Sequence, residues 1–251
     1  MEKSQKKVAL ITGASGSRDI GAAICRKLAN QGIDIFFTNW KSESGWSEIF
    51  KKEILGFGVR CESIEIDLSG SNAAYNILDV VSSKFCFPSI LVNNAAHSTR
   101  DGYMELDAKT LDDHYAVNMR STFLFCVEFA RRFEKTSLES GRIINLTSGQ
   151  DLGPMPGELA YVATKGAITA FTRSLSAELA PLGITVNAVN PGPTDSTWMT
   201  DEIREYLLPK FKMGRIGLPE DAARIIAFLA SDEGKWITGQ IIHSEGGFNR
   251  S

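Results

Sequence analysis

The chain has 251 residues, of which 43% are hydrophobic and 23% charged, and its formal net charge is −3. This length is enough for one α/β domain or two smaller ones, and the interspersed charges argue against a nucleic-acid or anionic-membrane partner. No window approaches the ~20 apolar residues of a membrane span. The first residues lack the apolar stretch of a secretory signal, and the scattered cysteines and histidines have neither disulfide nor metal-ligand spacing. We therefore expect a cytoplasmic protein without a metal site.

Short apolar runs alternate with longer helical patterns along the chain. Several runs are almost continuously apolar, which predicts strands buried on both faces of a parallel sheet. The predicted strands are Val8–Thr12, Ile35–Thr38, Cys61–Glu65, Ile90–Asn93, Arg142–Thr147, Ile184–Asn190 and Gln240–Ser244. The predicted helices are Ile20–Gln31, Ser44–Gly56, Ala73–Lys84, Leu106–Glu134, Tyr161–Gly183 and Pro219–Ser231. The sequence predicts one α/β domain spanning residues 1–251, a Rossmann-type doubly wound parallel sheet of about seven strands with helices on both faces.

The stretch from Pro191 to Leu218 is the least regular part of the chain. It is rich in Gly, Pro and Thr and contains a short apolar helical pattern around Ile203–Leu208. A long segment of this kind beside the carboxyl edge of a sheet is typical of a substrate lid, which we expect at about residues 193–218.

A glycine-rich turn, Thr12-Gly13-Ala14-Ser15-Gly16-Ser17-Arg18-Asp19-Ile20-Gly21, joins the first predicted strand to a helix. Small residues let the backbone approach a pyrophosphate, and the helix N-terminus supplies unpaired amides. The turn is two residues longer than Gly-x-x-x-Gly-x-Gly, and Asp19 stands where a middle glycine is expected. The turn predicts a dinucleotide site in which the longer loop alters the phosphate contacts.

The end of the second strand indicates which dinucleotide is preferred. An NAD site usually places an acid there to bind the ribose hydroxyls. This chain has Thr38-Asn39-Trp40-Lys41, without an acid. Arg18 and Lys41 can instead pair with a 2′-phosphate, although both are also compatible with ordinary surface charges. The sequence favours NADP(H), with NAD(H) possible.

Tyr161 and Lys165 lie four residues apart, and Ser148 lies thirteen residues before the tyrosine. On a helix this spacing places the lysine near the phenol, where a cation favours the phenolate and makes the tyrosine a useful acid or base. An isolated pair of this kind is more often a surface aromatic beside a solvated charge, so its meaning depends on the motifs around it.

In their order along the chain these motifs resemble the short-chain dehydrogenases/reductases of the NADP-dependent ketoacyl-reductase type, from about Val8 to Phe248. The other motifs that carry the resemblance are Asp67, Asn93-Asn94-Ala95-Ala96, Asn118, Pro191-Gly192, Gly214-Arg215, Pro219-Glu220-Asp221, Thr238-Gly239 and Gly246-Gly247. The fold that the resemblance implies is the one predicted above.

The resemblance implies a catalytic set of Ser148, Tyr161, Lys165 and Asn118. Tyr161 would exchange a proton with the substrate oxygen, and Ser148 would hydrogen-bond that oxygen. Lys165 would lower the tyrosine pKa and hold the nicotinamide ribose, and Asn118 would relay protons through its backbone and water. The implied cofactor-binding residues are Gly13, Ser15, Arg18, Ile20, Gly21, Asn39, Lys41, Asp67, Leu68, Asn94, Ala95, Tyr161, Lys165, Pro191, Gly192 and Thr194. The expected substrate pocket includes His97, Gln150, Met155 and Trp198.

The predicted function is NADPH-dependent reduction of a carbonyl to an alcohol, with 3-oxoacyl thioesters as a candidate substrate class. Two alternatives remain: a sugar or polyol dehydrogenase of the same family, and a catalytically silent dinucleotide-binding regulator. An acyl carrier protein is a doubtful partner, because Glu139 and Leu182 stand where basic residues are expected, although Arg131, Arg132 and Arg142 lie nearby. The resemblance further implies a homotetramer whose dimer interface uses the helices Leu106–Glu134 and Tyr161–Gly183. Phe123, Phe125, Phe129 and Phe133 spread around the first helix, and ordinary core packing is the alternative for at least half of these apolar residues.

Overall fold

The computed structural model describes residues 6–250. Seven parallel strands form a single sheet in the order β3-β2-β1-β4-β5-β6-β7. The strands are β1 (Val8–Ile11), β2 (Asp34–Asn39), β3 (Cys61–Glu65), β4 (Ile90–Asn93), β5 (Gly141–Leu146), β6 (Ile184–Asn190) and β7 (Ile241–His243). The order reverses between β1 and β4, and a sheet of this kind binds ligands at the carboxyl ends of the strands beside that reversal.

Helices cover both faces of the sheet and bury the apolar side chains of its strands. They are α1 (Ile20–Ala29), α2 (Trp46–Leu55), α3 (Ala73–Lys84), α4 (Ala108–His114), α5 (Thr122–Phe133), α6 (Leu159–Leu179), α7 (Asp201–Leu207) and α8 (Pro219–Ala230). Neighbouring residues of β2 point to opposite faces, so Phe37 packs with Phe50 in one core while Phe36 packs with Phe125 in the other. The predicted fold class is therefore confirmed.

The helix predicted over Leu106–Glu134 is divided into three parts. A π-helix at Tyr115–Ser121 separates α4 from α5. The side chain of Asn118 lies in this wider turn and bonds the backbone of His97, which belongs to the loop after β4. Periodicity of 3.6 residues does not reveal a single π-turn, and such turns are frequent at functional sites.

The segment of residues 193–218 has a small core of its own. Met199, Phe211 and Ile216 are buried together, and Phe248 from the C-terminal tail packs on them. An isolated bridge pairs Thr194 with Gly217 and so brings the two ends of the segment together. Within residues 6–250, no helix combines the length and the apolarity needed to cross a membrane.

Candidate active site

Helix α6 begins with two residues whose amides are bound by a distant carboxylate. Asp101, which is 8% exposed, accepts hydrogen bonds from the amides of Leu159 at 2.6 Å and Ala160 at 2.9 Å. These are helix N-terminal amides without intrahelical partners, and a negative charge is favourable beside them. Because Tyr161 is the next residue, Asp101 fixes the part of the backbone that carries the phenol.

Ser148, Tyr161 and Lys165 meet beyond the carboxyl end of β5. The Ser148 hydroxyl hydrogen-bonds the Tyr161 side chain and lies 3.9 Å from the sulfur of Met155. The Lys165 ammonium lies 5.5 Å from the centre of the Tyr161 ring and donates to the carbonyl of Leu146 at 2.8 Å. The spacing in the sequence therefore does bring the hydroxyl, the phenol and the ammonium into one crevice.

The pKa of Tyr161 is raised in the structure, whereas the sequence predicted that Lys165 would lower it. Burial raises the pKa of Tyr161 to about 12, the Ser148 hydrogen bond opposes this, and the charge of Glu158 adds to it. Burial also lowers the pKa of Lys165 to about 8. The prediction considered only the attraction between a cation and a phenolate, whereas both groups lie where desolvation penalises their charged forms.

Asn118 is fully buried, and its side-chain amide is held at both ends. Its oxygen accepts from the His97 amide at 2.6 Å, while its nitrogen donates to the His97 carbonyl at 2.8 Å and to the Thr164 hydroxyl at 3.1 Å. Asn118 thereby joins the loop after β4 to the residue that precedes Lys165. A proton relay through its backbone and water stays a prediction.

The glycine loop fits tightly against the residues that follow β4. Gly13 has φ +76°, and a Cβ there would lie 2.7 Å from the Cα of Ala95. A Cβ on Gly21 would lie 2.2 Å from the carbonyl oxygen of Gly13, and the Asn94 amide donates to that same oxygen at 2.7 Å. These glycines allow α1 to start close to the strand ends, which is the arrangement that lets a backbone approach a pyrophosphate.

A cleft of about 600 Å³ opens in front of this loop. Most of the predicted cofactor residues line it, and they are Gly13, Ser15, Ile20, Asn39, Lys41, Asp67, Leu68, Asn94 and Ala95. Gly21 is not part of this lining but packs against the carbonyl of Gly13, as described above. Thr194 donates to the carbonyl of Gly192 at 3.1 Å and to that of Pro191 at 3.4 Å, so these three residues form one turn after β6. The cleft's shape and lining fit a dinucleotide.

Arg18 is placed differently from the prediction. Its guanidinium forms an ion pair with Asp195 of the 193–218 segment at 2.9 Å, and it is not part of the cleft lining that contains Lys41. The two additional loop residues carry Arg18 toward that segment, which sequence spacing alone could not indicate. Lys41 is thus the predicted cation that does lie in the cleft.

The chain matches the family model described as Enoyl-(Acyl carrier protein) reductase over residues 13–249. It is 74% identical to "Uncharacterized oxidoreductase YjdA" of Bacillus subtilis, over 100% of both chains. It is 36% identical to 3-oxoacyl-[acyl-carrier-protein] reductase FabG of Staphylococcus aureus, covering 96% of this chain and 97% of that protein. The structure of acetoin dehydrogenase YohF from Salmonella typhimurium superposes with TM-score 0.85 at 31% identity, covering 97% of this chain and 96% of that one.

The chain belongs to the short-chain dehydrogenase/reductase family. It is an oxidoreductase that acts on CH–OH or carbonyl groups, and its family binds NAD(P). The resemblance inferred from the motifs is confirmed. In this short-chain dehydrogenase/reductase the crevice of Ser148, Tyr161 and Lys165 and the dinucleotide cleft lie along the same edge of the sheet.

The predicted substrate residues of this short-chain dehydrogenase/reductase are only partly brought together. His97 lines the cleft, and Met155 contacts Ser148. Gln150 instead donates to the hydroxyls of Thr147 at 3.3 Å and Thr169 at 3.0 Å, so its amide is used in packing α6 against the end of β5. Trp198 is 51% exposed and does not belong to the cleft lining. Substrate contacts of Gln150 and Trp198 stay predictions.

Three further residues that contact or line the site were not among the predicted site residues. Asp101 caps α6, Trp40 lines the cleft after β2, and Asp19 bonds the glycine loop to the 193–218 segment. Asp19 did carry a signal, since it is an acid where a glycine is expected. Asp101 carried none, because it lies 58 residues before its partner Leu159.

Proposed function

We propose that this oxidoreductase uses NADPH to reduce a carbonyl to an alcohol and that 3-oxoacyl thioesters are its substrate class. The observation that carries the proposal is the crevice in which the Tyr161 phenol is hydrogen-bonded to Ser148 and lies one helical turn from Lys165. A tyrosine with a pKa of about 12 is protonated at neutral pH, and protonated tyrosine is the form that can donate to a carbonyl oxygen.

In this proposal a bound reduced nicotinamide supplies the hydride that adds to the carbonyl carbon. The Tyr161 hydroxyl donates its proton to the carbonyl oxygen, which takes up the electron pair of the C=O π-bond. The Ser148 hydroxyl hydrogen-bonds the same oxygen and stabilises its developing charge. Lys165, whose ammonium lies 5.5 Å from the ring centre, stabilises the phenolate that remains and holds the nicotinamide ribose. Asn118 links Lys165 to solvent through its backbone and water.

The preference for NADPH rests on the end of β2. Asn39 is buried there and bonds Ser42 and Ser47, so no carboxylate occupies the place from which an acid would bind the ribose hydroxyls. Lys41 lies in the cleft with its ammonium 5.6 Å from the Trp40 ring centre. Glu65 opposes this preference. Its carboxylate accepts a hydrogen bond from the Lys41 amide at 3.2 Å, and its negative charge therefore lies beside the residue that would bind the 2′-phosphate. NADP(H) remains the favoured cofactor, and NAD(H) is the alternative.

Two substrate classes are supported by relatives. The FabG relative reduces 3-oxoacyl groups on acyl carrier protein by its name, whereas the acetoin dehydrogenase neighbour favours a small hydroxyketone. Glu139 and Leu182 still argue against carrier-protein docking, so we propose that the thioester part need not be a carrier protein. Sugar or polyol oxidation is less favoured. A silent regulator is disfavoured by the catalytic set.

We also propose a cytoplasmic homotetramer with residues 193–218 as a substrate lid. Phe123 of α5 and Phe171 of α6 stack with ring centres 3.8 Å apart and are only partly buried, which supports an interface on these helices. Phe125, Phe129 and Phe133 are buried in the chain's own core and are withdrawn from that interface. A mass measurement in solution tests the tetramer.

The test is steady-state turnover with both nucleotides and a panel of carbonyl compounds. The panel contains a 3-oxoacyl thioester of a simple thiol, a small diketone, and a sugar or polyol in the oxidative direction. We expect the highest kcat/KM for the thioester with NADPH. Faster reduction of the diketone would replace the thioester proposal, and nucleotide binding without turnover of any compound would favour the silent regulator.

A further inference from the structure

Asp19 occupies the N-cap position of α1, but its side chain does not cap that helix. One carboxylate oxygen accepts the amide of Ser15 at 3.2 Å, and the other accepts the hydroxyl of Thr197 at 2.9 Å. The carboxylate therefore makes no bond to the first amides of α1. Asp19 instead joins the glycine loop to the 193–218 segment.

A second contact joins the same two parts of the molecule. Arg18, the preceding residue, pairs with Asp195 at 2.9 Å. The side chain of Asp195 is only 17% exposed, and Arg204 binds both of its oxygens, at 3.0 and 2.9 Å. Two neighbouring residues of the loop thus hold residues 195 and 197 of the segment, and Ser196 between them lines the cleft.

The longer glycine loop makes these contacts possible. Gly16 leaves room for the Asp19 carboxylate to turn back toward Ser15, because a Cβ on Gly16 would lie 3.2 Å from that carboxylate. Arg26 of α1 donates to the carbonyl of Ser17 at 2.8 Å and so fixes the additional residues. The loop is therefore held in a conformation that points Arg18 and Asp19 toward the segment.

We propose that Arg18 and Asp19 are positioning residues that couple dinucleotide binding at the glycine loop to the order of the 193–218 segment. The Asp19–Thr197 and Arg18–Asp195 contacts exist only when the loop and the segment are both in place. Whatever orders one of them then favours the other, and the coupling must act equally in both directions. The inference rests on dinucleotide binding by this family and requires neither the NADPH preference nor a particular substrate.

The test changes the segment and measures binding at the loop. Thr197→Val removes the hydroxyl at nearly constant shape, and Thr197→Ser keeps the hydroxyl as the matched control. Thr197 lies outside the cleft lining, so neither variant alters a side chain that lines the cofactor cleft. Asp195→Asn tests the second contact. Dissociation constants for NADPH and for NADH are measured by fluorescence quenching, and amide exchange of residues 193–218 is measured with and without nucleotide.

We expect Thr197→Val and Asp195→Asn each to weaken binding of both nucleotides by about fivefold, the lower end of typical couplings. Both variants should speed amide exchange in the segment, nucleotide should slow it in the wild type, and Thr197→Ser should behave as the wild type. Unchanged nucleotide affinity in both variants would overturn the coupling, even if exchange became faster. A wild type that bound neither nucleotide would overturn the dinucleotide assignment as well, whereas a preference for NADH would overturn only the proposed cofactor.

Discussion

The two halves of the site, the crevice at the start of α6 and the glycine loop with the 193–218 segment, are held in place by different physical means. Around α6 the important groups are buried: Lys165 is 3% exposed, Asn118 is fully buried, and their hydrogen bonds run to core strands and loops. Around the glycine loop and the 193–218 segment the contacts are the Arg18–Asp195 ion pair, whose side chains are 60% and 17% exposed, and the exposed Asp19–Thr197 hydrogen bond. Buried hydrogen bonds fix a geometry firmly, whereas exposed ion pairs contribute little energy each and yield easily. Under the proposed function, the chemistry would belong to the rigid half, and nucleotide and substrate selection to the adjustable one.

The largest expected effect comes from removing the phenol of the rigid half. Tyr161→Phe should lower kcat by about 1000-fold, within the range typical of a positioned proton donor, while the nucleotide dissociation constant stays nearly unchanged. Tyr75→Phe, on the exposed surface of α3, is the control and should retain activity. Full activity of Tyr161→Phe on any substrate would contradict the proposed mechanism.

Replacing the buried Lys165 should change activity and stability in opposite directions. Its pKa falls from 10.5 to about 8 in the folded protein, so burying the charge destabilises the fold below pH 8, and this cost disappears above about pH 10.5. Lys165→Met should lower kcat, by less than Tyr161→Phe does, yet raise the unfolding free energy at pH 7 by about 1–3 kcal/mol, at about 1.4 kcal/mol per pKa unit less the lost bond to Leu146.

Urea unfolding at pH 7 and pH 9.5 tests this assignment. The gain from Lys165→Met should be smaller at pH 9.5, because the folded lysine has lost its proton above about pH 8 and the cost of keeping it neutral declines as the pH approaches 10.5. For the wild type, reductase activity should fall above about pH 8, where Lys165 loses its charge. A gain in stability that did not change with pH would mean that burial does not depress the lysine pKa.

Asp101 should contribute to activity by holding the start of α6. Asp101→Ala removes two bonds to helix amides and should cost about 1–2 kcal/mol of stability, as losses of helix caps do. We also expect about a tenfold lower kcat with little change in nucleotide affinity, since the Tyr161 backbone loses its support. Partial recovery in Asp101→Asn would distinguish positioning from simple loss of fold.

The matched control for Asp101 is Asp107→Ala. Asp107 caps α4 by accepting the Thr110 amide at 2.8 Å, on an exposed part of the surface. The Asp107→Ala variant should lose stability but keep the kcat of the wild type. Equal decreases in kcat for both variants would show that the effect of Asp101 is general destabilisation.

The same contrast explains what the sequence could predict. Buried strands and the α6 motif depend on local patterns, so the sheet and the Ser148–Tyr161–Lys165 crevice were predicted correctly in outline. The partners of Arg18 and Gln150 depend on residues far apart in the chain, Asp195 and Thr169, and were not predicted. The π-helix was missed because one additional residue in a turn leaves the apolar pattern nearly unchanged. The pKa of Tyr161 was missed because burial is a tertiary property.

The prediction that tests the adjustable half concerns nucleotide choice and leaves kcat aside. Lys41 lies in the cleft after β2, and its backbone has a φ of +50°. Lys41→Glu places a carboxylate near the expected 2′-phosphate, so NADPH should bind about tenfold more weakly while NADH changes little, as expected when a charge-assisted contact becomes repulsive. The control is Lys52→Glu, which makes the same charge change on the exposed surface of α2. If both variants weakened both nucleotides equally, only long-range charge would be involved, and Lys41 would not be the residue that distinguishes NADPH from NADH.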